Sequence, residues 1–317
     1  MSGSGASGTG LGGAYPGAAA GFFVPVGFVD EIEQAMKYYG PMLNGTPGLP
    51  TIMPTDSGAP LPFPTSNDVT VVGEQVDEQA TVAQGVIGMS NIMFGAYKFS
   101  SRLIQVSIEL LQDSAFNIEE WLKARFAERL GRILNTKFTT GNGTNTPTGI
   151  ATAAFQGPTF AGAYANDGAS AANSIGSDDL VSLEHAVDIV YRRGARFMFH
   201  DQTIAGLKKL KDRYGRPLWL PSLAVNTPDT INGYPYDANN DLDQFQTISS
   251  SPAVTRKTAL FGQMSKYLVR RVKDIAILRL EERFAEFGQV GFLAFCRYDG
   301  NLLDAGTHPV VYGQNVY

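Results

Sequence analysis

Three histidines, one cysteine, two adjacent glutamates and one glycine-rich loop are the groups in this sequence with the chemistry to make a site. His185, His200 and His308 stand far apart, and none belongs to the Cys/His spacing that a zinc site needs. His185 follows Glu184 in a stretch of helical periodicity and reads as a surface histidine. His200 ends a strand-like run just before Asp201, where a structural hydrogen bond accounts for it. Cys296 lies inside the apolar run VGFLAFC and reads as a buried thiol, not a nucleophile. A single cysteine also rules out disulfides within the chain, which fits synthesis in a reducing cytoplasm. Glu281 and Glu282 are neighbours, so on a helix they point about 100° apart and make no acid/base pair.

The loop Gly141–Gly149 (GNGTNTPTG) has the composition of a phosphate cradle in the wrong setting. It follows a helical stretch instead of a strand, lacks the lysine, and is not expected to open a helix. There is no G-x-S-x-G elbow, and neither Ser222 nor Ser265 has local partners for a triad. Trp121 and the Phe/Tyr-rich runs read as core instead of a base-stacking platform. The expectation is therefore no catalytic residue, no metal site and no cofactor. A hydrolase on a mixed scaffold would need a site that these residues do not form.

The element around which the rest is arranged runs from Asp113 to Ile150. Ile118, Trp121, Leu122, Phe126, Leu130, Ile133, Leu134 and Phe138 recur at spacings of three and four, so they share one helical face. Asn117 followed by Glu120 is a capping-box start, and Gly141 supplies the stop. Glu119 with Lys123 and Glu128 with Arg132 are i,i+4 pairs, each contributing roughly 0.2–0.5 kcal/mol. From Ile118 to Thr140 such a helix is roughly 33 Å long, a strut across a flat body.

Composition narrows the function further. The chain has 317 residues, a hydrophobic fraction of 44% and only 17% charged residues, with 35 glycines and 17 prolines. Low charge with so much glycine and proline points to large surfaces that meet protein instead of water. No run of apolar residues is long enough to span a membrane, and the Gly/Ala/Ser-rich opening has no secretory signal pattern. The net charge of −5 is unevenly spread: residues 1–97 hold one basic residue, Lys37, against eight acids. The remainder carries a slight basic excess, far short of what neutralising nucleic-acid phosphates demands, so tight DNA binding is not expected.

Along the chain, residues 1–21 read as a flexible arm, Phe22–Val29 as extended, and Asp30–Tyr39 as a short helix. The proline-rich stretch Pro41–Pro64 reads as extended or looping chain. Between Asn67 and Phe99, β-type runs flank an acidic GEQVDEQ, the pattern of a hairpin. Ile104, Val106, Ile108 and Leu110 alternate as a half-buried strand. Ala151–Ser174 reads as loop. A second helix starts at Ser177 and runs through Leu180, Leu183, Val187, Val190 and Tyr191 to Gly194. Asp201 caps a third helix ending near Asp212. ARFMFH, TINGYP, ALFGQM, YLVRRV and DIAILRL read as strands, and Val290–Tyr298, apolar on both faces, as a central one. The class is α+β.

The segment SIELLQDSAFNIEEWLKARFAERLGRILNTKFTTGNGTNTPTGI resembles the signature of tailed-phage major capsid proteins of the Hong Kong 97 fold. Its loop places Gly141, Gly143, Pro147, Gly149 and Ile150 where that family has Gly-x-Gly-x-x-x-Pro-x-Gly-Ile. LKKLKDRYGRPLW at Leu207–Trp219, TINGYPY at Thr230–Tyr236 and FGQMSKYLVRR at Phe261–Arg271 agree in order. So do GQVGFLAFCRYDGNLLD at Gly288–Asp304 and the arm-like FFVPVGFVDEI at Phe22–Ile32. The resemblance implies an N-terminal arm (1–45) and an extended hairpin loop (66–98). It further implies a peripheral domain with a spine helix (46–65, 99–169, 288–317) and an axial domain (170–287).

As function, the resemblance implies a head protein that assembles as hexamers and pentamers into an icosahedral shell around double-stranded DNA. Its partners would be its own copies, portal, scaffolding and possibly decoration proteins, and weakly held DNA. It would be made in the host cytoplasm. The acids Glu74, Asp77 and Glu78 on the loop would meet a neighbour's Arg125, Arg129 or Arg132. Some members weld their shells through a loop lysine, but no lysine lies between Lys37 and Lys98 here. Many members carry a scaffolding segment before the arm; opening at Met1 with the arm, this chain is expected to use a separate scaffold or none. An encapsulin, a shell housing a cargo enzyme, is the alternative with the same fold.

Overall fold

The computed structural model describes residues 36, 40–67, 73, 75–77, 79, 82, 88–113, 118–160, 175–211, 214, 216, 230–245, 254–273 and 275–316. After a 3-10 turn at Pro41–Leu43, strand β1 (Thr51–Thr55) precedes a ribbon of β2 (Leu61–Asn67) and β3 (Gly88–Phe94). β4 (Tyr97–Ser100) and β5 (Ile104–Ser107) lead into α1 (Ile108–Asp113) and the long α2 (Ile118–Thr140). Next come α3 (Ile150–Ala153), β6 (Phe155–Thr159), α4 (Ser177–His185), α5 (Ile189–Arg192), β7 (Arg196–Phe199) and α6 (Asp201–Lys208). Then come the strands β8 (Thr230–Ile231), β9 (Tyr234–Ala238), β10 (Thr255–Gly262), β11 (Tyr267–Val272), β12 (Ala276–Leu280), β13 (Gln289–Leu302) and β14 (Val310–Val316), with 3-10 turns at Met264–Lys266 and Glu282–Phe287.

The first sheet is built on β13, 14 residues long. Phe295 faces Ala276 of β12 on one edge and Ser100 of β4 on the other. Towards its C-terminus β13 pairs with β11, which in turn carries β1 in parallel; towards its N-terminus it pairs with β5. Being central fixes the edges of β13 and not its faces. Buried Val290, Ala294, Cys296, Tyr298 and Leu302 alternate onto a single face, while Leu293 and Phe295 on the other are half-buried. The strand is less evenly covered than its apolar run implies.

The second sheet has the order β6-β14-β10-β7-β9-β8. Its period-2 alternation feeds two cores at once. Phe197 and Phe199 of β7, Phe261 of β10 and Val311 of β14 join one cluster, beneath α4 and α6. Met198, Leu260 and Val310, their alternates, join the other, which holds α2 and the first sheet. Both sheets draw strands from either side of residue 287.

The long helix follows the sequence reading from Ile118 to Thr140. Ile118, Leu122, Phe126, Leu130, Leu134 and Phe138 are buried, and burying each such side chain is worth roughly 1.5–3 kcal/mol. Trp121 departs from the expected core face: it is 45% exposed, at the edge of the stripe beside Arg125. Polar groups buried on α2 are all spoken for. Asn135 donates from Nδ2 to Asn239 and Asp241, while its Oδ1 accepts from the Met42 N–H at 3.4 Å. Asn239 donates to Thr139 Oγ1 at 2.9 Å, so one network ties α2 to the second sheet and to the chain before β1.

Gly141 ends the helix for a different reason from the one expected. It is absent from the positive-φ residues; instead a Cβ there would lie 2.3 Å from the Pro147 carbonyl oxygen and 2.4 Å from that of Lys137. Gly149 is pressed in the same way against the backbone of Thr139 and Gly141, and its N–H donates to Gly141 O at 2.9 Å. The loop is thus a clasp of two touching backbones. Contrary to expectation it opens a helix, the single turn α3, but buried Ile150 and Ala151 turn that turn into the protein.

Several other expectations are corrected. The strand ends at Ser107, whose Oγ accepts from the Leu110 N–H at 3.3 Å, so Ile108 and Leu110 lie on α1. The second helix is broken at Asp188, whose carboxylate accepts from the Val190 N–H and starts α5. His200, not Asp201, caps the third helix: its Nδ1 accepts from the Gln202 N–H at 3.0 Å, and the helix ends at Lys208. Phe155–Thr159 is a strand held by β14, not loop. TINGYP is a hairpin of its own, with Asn232 and Gly233 both at positive φ as a type I′ turn requires. Asn117 and the 30–39 helix fall outside the described residues, save Met36, which is helical and buried.

Candidate functional site

Most of the chemically capable groups among the described residues have structural employment. Cys296 is buried, and burial pushes its thiol up to about 12, which leaves it protonated and inert. His308 stacks on Phe155 with ring centroids 3.7 Å apart and meets Asp304 at 3.0 Å. Asp304 also accepts from the N–H groups of Gly306, Thr307 and His308. Burial would raise its carboxyl, yet these hydrogen bonds and the His308 charge hold it below the usual range. His185 is exposed, and Glu281 pairs with Arg279 at 2.7 Å. Among the described residues no three His, Cys, Asp or Glu side chains gather as a metal site would require. No helix among them is long and apolar enough to cross a membrane.

What remains is surface. Arg125, Arg129 and Arg132 share one exposed side of α2 with Trp121, as helical spacing dictates. They are not bare charges. Glu128 sits between Arg125 and Arg132, with contacts of 2.7 and 2.6 Å, and Arg129 donates to Ser101 O at 3.3 Å. Arg132 keeps 69% of its side chain open to solvent, so it has the freest guanidinium of the two paired ones. Of the loop acids, Asp77 is exposed, whereas Glu74 and Glu78 lie outside the described residues.

The ribbon of β2 and β3 is a surface that the sequence did not mark. Its pairing runs from Leu61↔Phe94 to Asn67↔Gly88 without a shift, so it begins earlier than the expected bound of 66. One face packs inward through Phe94, fully buried and edge-on to Phe63 at 6.2 Å. The opposite face carries Pro62, Pro64, Met89 and Met93, with Met89 84% exposed. Ser66 and Asn91 share that face, so it is a mixed surface on which large apolar side chains stand open, a candidate for contact.

The root of that ribbon is a buried polar joint. Arg270 of β11, 2% exposed, donates through Nη1 to the carbonyls of Phe94 and Gly95, both at 3.0 Å. Its Nη2 donates to Ser57 O at 2.7 Å and its Nε to Thr55 Oγ1 at 3.1 Å. Directly across the ladder, Asp299 accepts from the N–H groups of Gly95 and Gly300. Burial pushes the Asp299 carboxyl above its usual range; the two backbone N–H groups and the charge of Arg270 pull it back. A charged residue within the apolar run YLVRRV was the one signal available for this joint.

The described residues thus form two cores, one of them built on α2, and a ribbon with large apolar side chains open on one face, so surfaces are the features that stand out. The phage capsid family model matches residues 20–313, and the chain belongs to that family. It is a structural capsid shell protein and not an enzyme, located in the virion capsid, and its fold is of the Hong Kong 97 type. The capsid of a native GTA particle is similar, with 25% identity, a TM-score of 0.67, and 84% of this chain and 88% of that chain covered. A structure from Microbacterium phage Oxtober96 shares the fold at 16% identity and TM-score 0.58, covering 83% and 88% of the two chains. So does the holo-SrpI encapsulin complex from Synechococcus elongatus, at 11% identity and TM-score 0.54, covering 83% and 84%. No curated protein matches the chain by sequence.

Proposed function

We propose that this chain is the major head protein of a tailed phage, assembling as hexamers and pentamers into an icosahedral shell around double-stranded DNA. The observation that carries this reading is the family match over residues 20–313, together with a ribbon on which large apolar side chains stand open. In this reading the chain is made in the host cytoplasm and meets portal, scaffolding and decoration proteins there. Its contact with DNA is slight, since no basic excess exists to grip phosphates. Residues 1–45 act as the arm and 66–98 as the loop over a neighbour. The first sheet with α2 acts as the peripheral part and the second sheet with α4 and α6 as the axial part. β11 and β12 then go with the peripheral part and β14 with the axial one, in place of a cut at residue 287. Many moderate contacts, repeated over the shell, give it stability.

The test is to image particles from the purified chain: shells of uniform diameter with DNA inside native particles are expected. An encapsulin would hold a cargo protein instead, and a lack of shells would end the proposal. Because no lysine lies between Lys37 and Lys98, assembled particles are expected to run as one subunit band on a reducing denaturing gel. A ladder of covalent multimers would contradict this.

The acid–arginine contact is proposed in the same frame. Reversing Glu74, Asp77 and Glu78 to lysine is expected to leave the subunit folded, as circular dichroism of the unassembled chain would check. Shell yield at low salt should fall by roughly tenfold, the equivalent of 1.4 kcal/mol per contact set. Normal yield from the triple variant would remove the contact from consideration.

A further inference from the structure

A two-stranded ribbon is not stable by itself and has no intrinsic direction, so something must fix how it leaves the body. Between β3 and β4 there are only the two residues Gly95 and Ala96, and between β1 and β2 only the five residues Asp56–Pro60. Neither connection is a regular element. Arg270 is positioned to do what they do not. Its guanidinium carries five N–H donors in a rigid plane, and its four contacts reach both arms of the ribbon's root: Thr55 and Ser57 before β2, Phe94 at the end of β3 and Gly95 just after it. Asp299, its cross-strand neighbour, holds the Gly95 N–H from the other side.

We propose that Arg270 is the positioning residue of the ribbon, clamping both of its arms to the first sheet and so setting the direction in which Met89 and Met93 are presented to a neighbouring copy. The consequence for the neighbour rests on the shell reading above; the clamp itself does not. A buried guanidinium held by three carbonyl oxygens and a hydroxyl is costly to break, because each lost partner leaves a desolvated group. The joint therefore has two states, made or open, and does not flex gradually. Lysine cannot replace the fork: its three donors sit on one point and cannot reach four acceptors spread over both arms.

Hydrogen exchange on the unassembled full-length chain tests the clamp, and particle imaging tests its consequence. In R270K, amides of residues 61–67 and 88–94 should exchange roughly tenfold faster, while those of Gly291–Arg297 in β13 stay unchanged. R270A should show the same pattern more strongly. R270K shells should be heterogeneous in diameter beside uniform parent shells. Unchanged ribbon exchange in R270K, or equal acceleration in β13, overturns the clamp. If the parent chain makes no shells, the shell reading falls while the exchange result still decides the clamp. Uniform R270K shells despite a loosened ribbon overturn the link to presentation.

Discussion

Replacing Phe138 by alanine is expected to cost the isolated subunit about 3–5 kcal/mol, enough to remove most of the stability of an ordinary domain. Phe138 is fully buried on α2 and sits edge-on to both Tyr267 (6.4 Å, 64°) and Tyr298 (6.2 Å, 66°). These rings come from β11 and β13, so the phenyl ring joins helix to sheet at the point where the glycine clasp begins. The Tyr267 hydroxyl donates to Thr148 O at 2.7 Å, and a Cβ at Gly300 would lie 3.0 Å from the Phe138 ring. Nothing there can move in to fill the space, because two neighbours are anchored and the third has no side chain. Denaturant unfolding of dissociated subunits would read the loss. Trp121→Ala on the same helix is the control: with its ring half in solvent, about 1 kcal/mol or less is expected. Equal losses from the two would mean that the Phe138 cluster is not a packed joint.

The second large effect is on assembly, not folding. Met89→Asp with Met93→Asp puts two charges on the open face of the ribbon, where both parent side chains are mainly exposed. Folding should be unaffected, within about 0.5 kcal/mol per site. Shells should be lost altogether, because each interface would then desolvate two carboxylates with no partner, at several kcal/mol per copy. Light scattering and imaging would follow shells, and thermal unfolding would confirm the subunit. Normal shells from the double variant would show that the open face is not a contact.

The long helix was legible because a 3.6-residue period over 23 residues is a local property, and local properties survive in sequence. β13 was legible as a strand from its apolar run, whereas its four partners, β4, β5, β11 and β12, come from distant parts of the chain and are not a local property. The glycine loop was legible as structural but not for its cause, since the collision at Gly141 depends on Pro147 returning to the helix end. The break at Asp188 was missed because Leu180, Leu183, Val187 and Tyr191 keep a helical period across it, while the cap is one hydrogen bond from one side chain. Arg270 was not found at all. Its four partners lie more than 170 residues away, and nothing in YLVRRV says which arginine turns inward. The loop acids and the α2 arginines were named from charge alone, and the partnering of Arg125 and Arg132 by Glu128 shows how much of that charge is already spent locally.

Pro62 and Pro64 of β2 stand two residues apart, so they share one edge of the strand as well as one face. The ladder with β3 is unbroken over both, and proline has no N–H to give it, so their backbone must look away from β3. The outer margin of the ribbon is therefore missing two consecutive donors. A neighbour cannot lay a third strand along the β2 margin, the route by which open strands polymerise into fibres. Copies that meet along that margin have to meet side chain to side chain, and backbone pairing is left to the β3 margin alone.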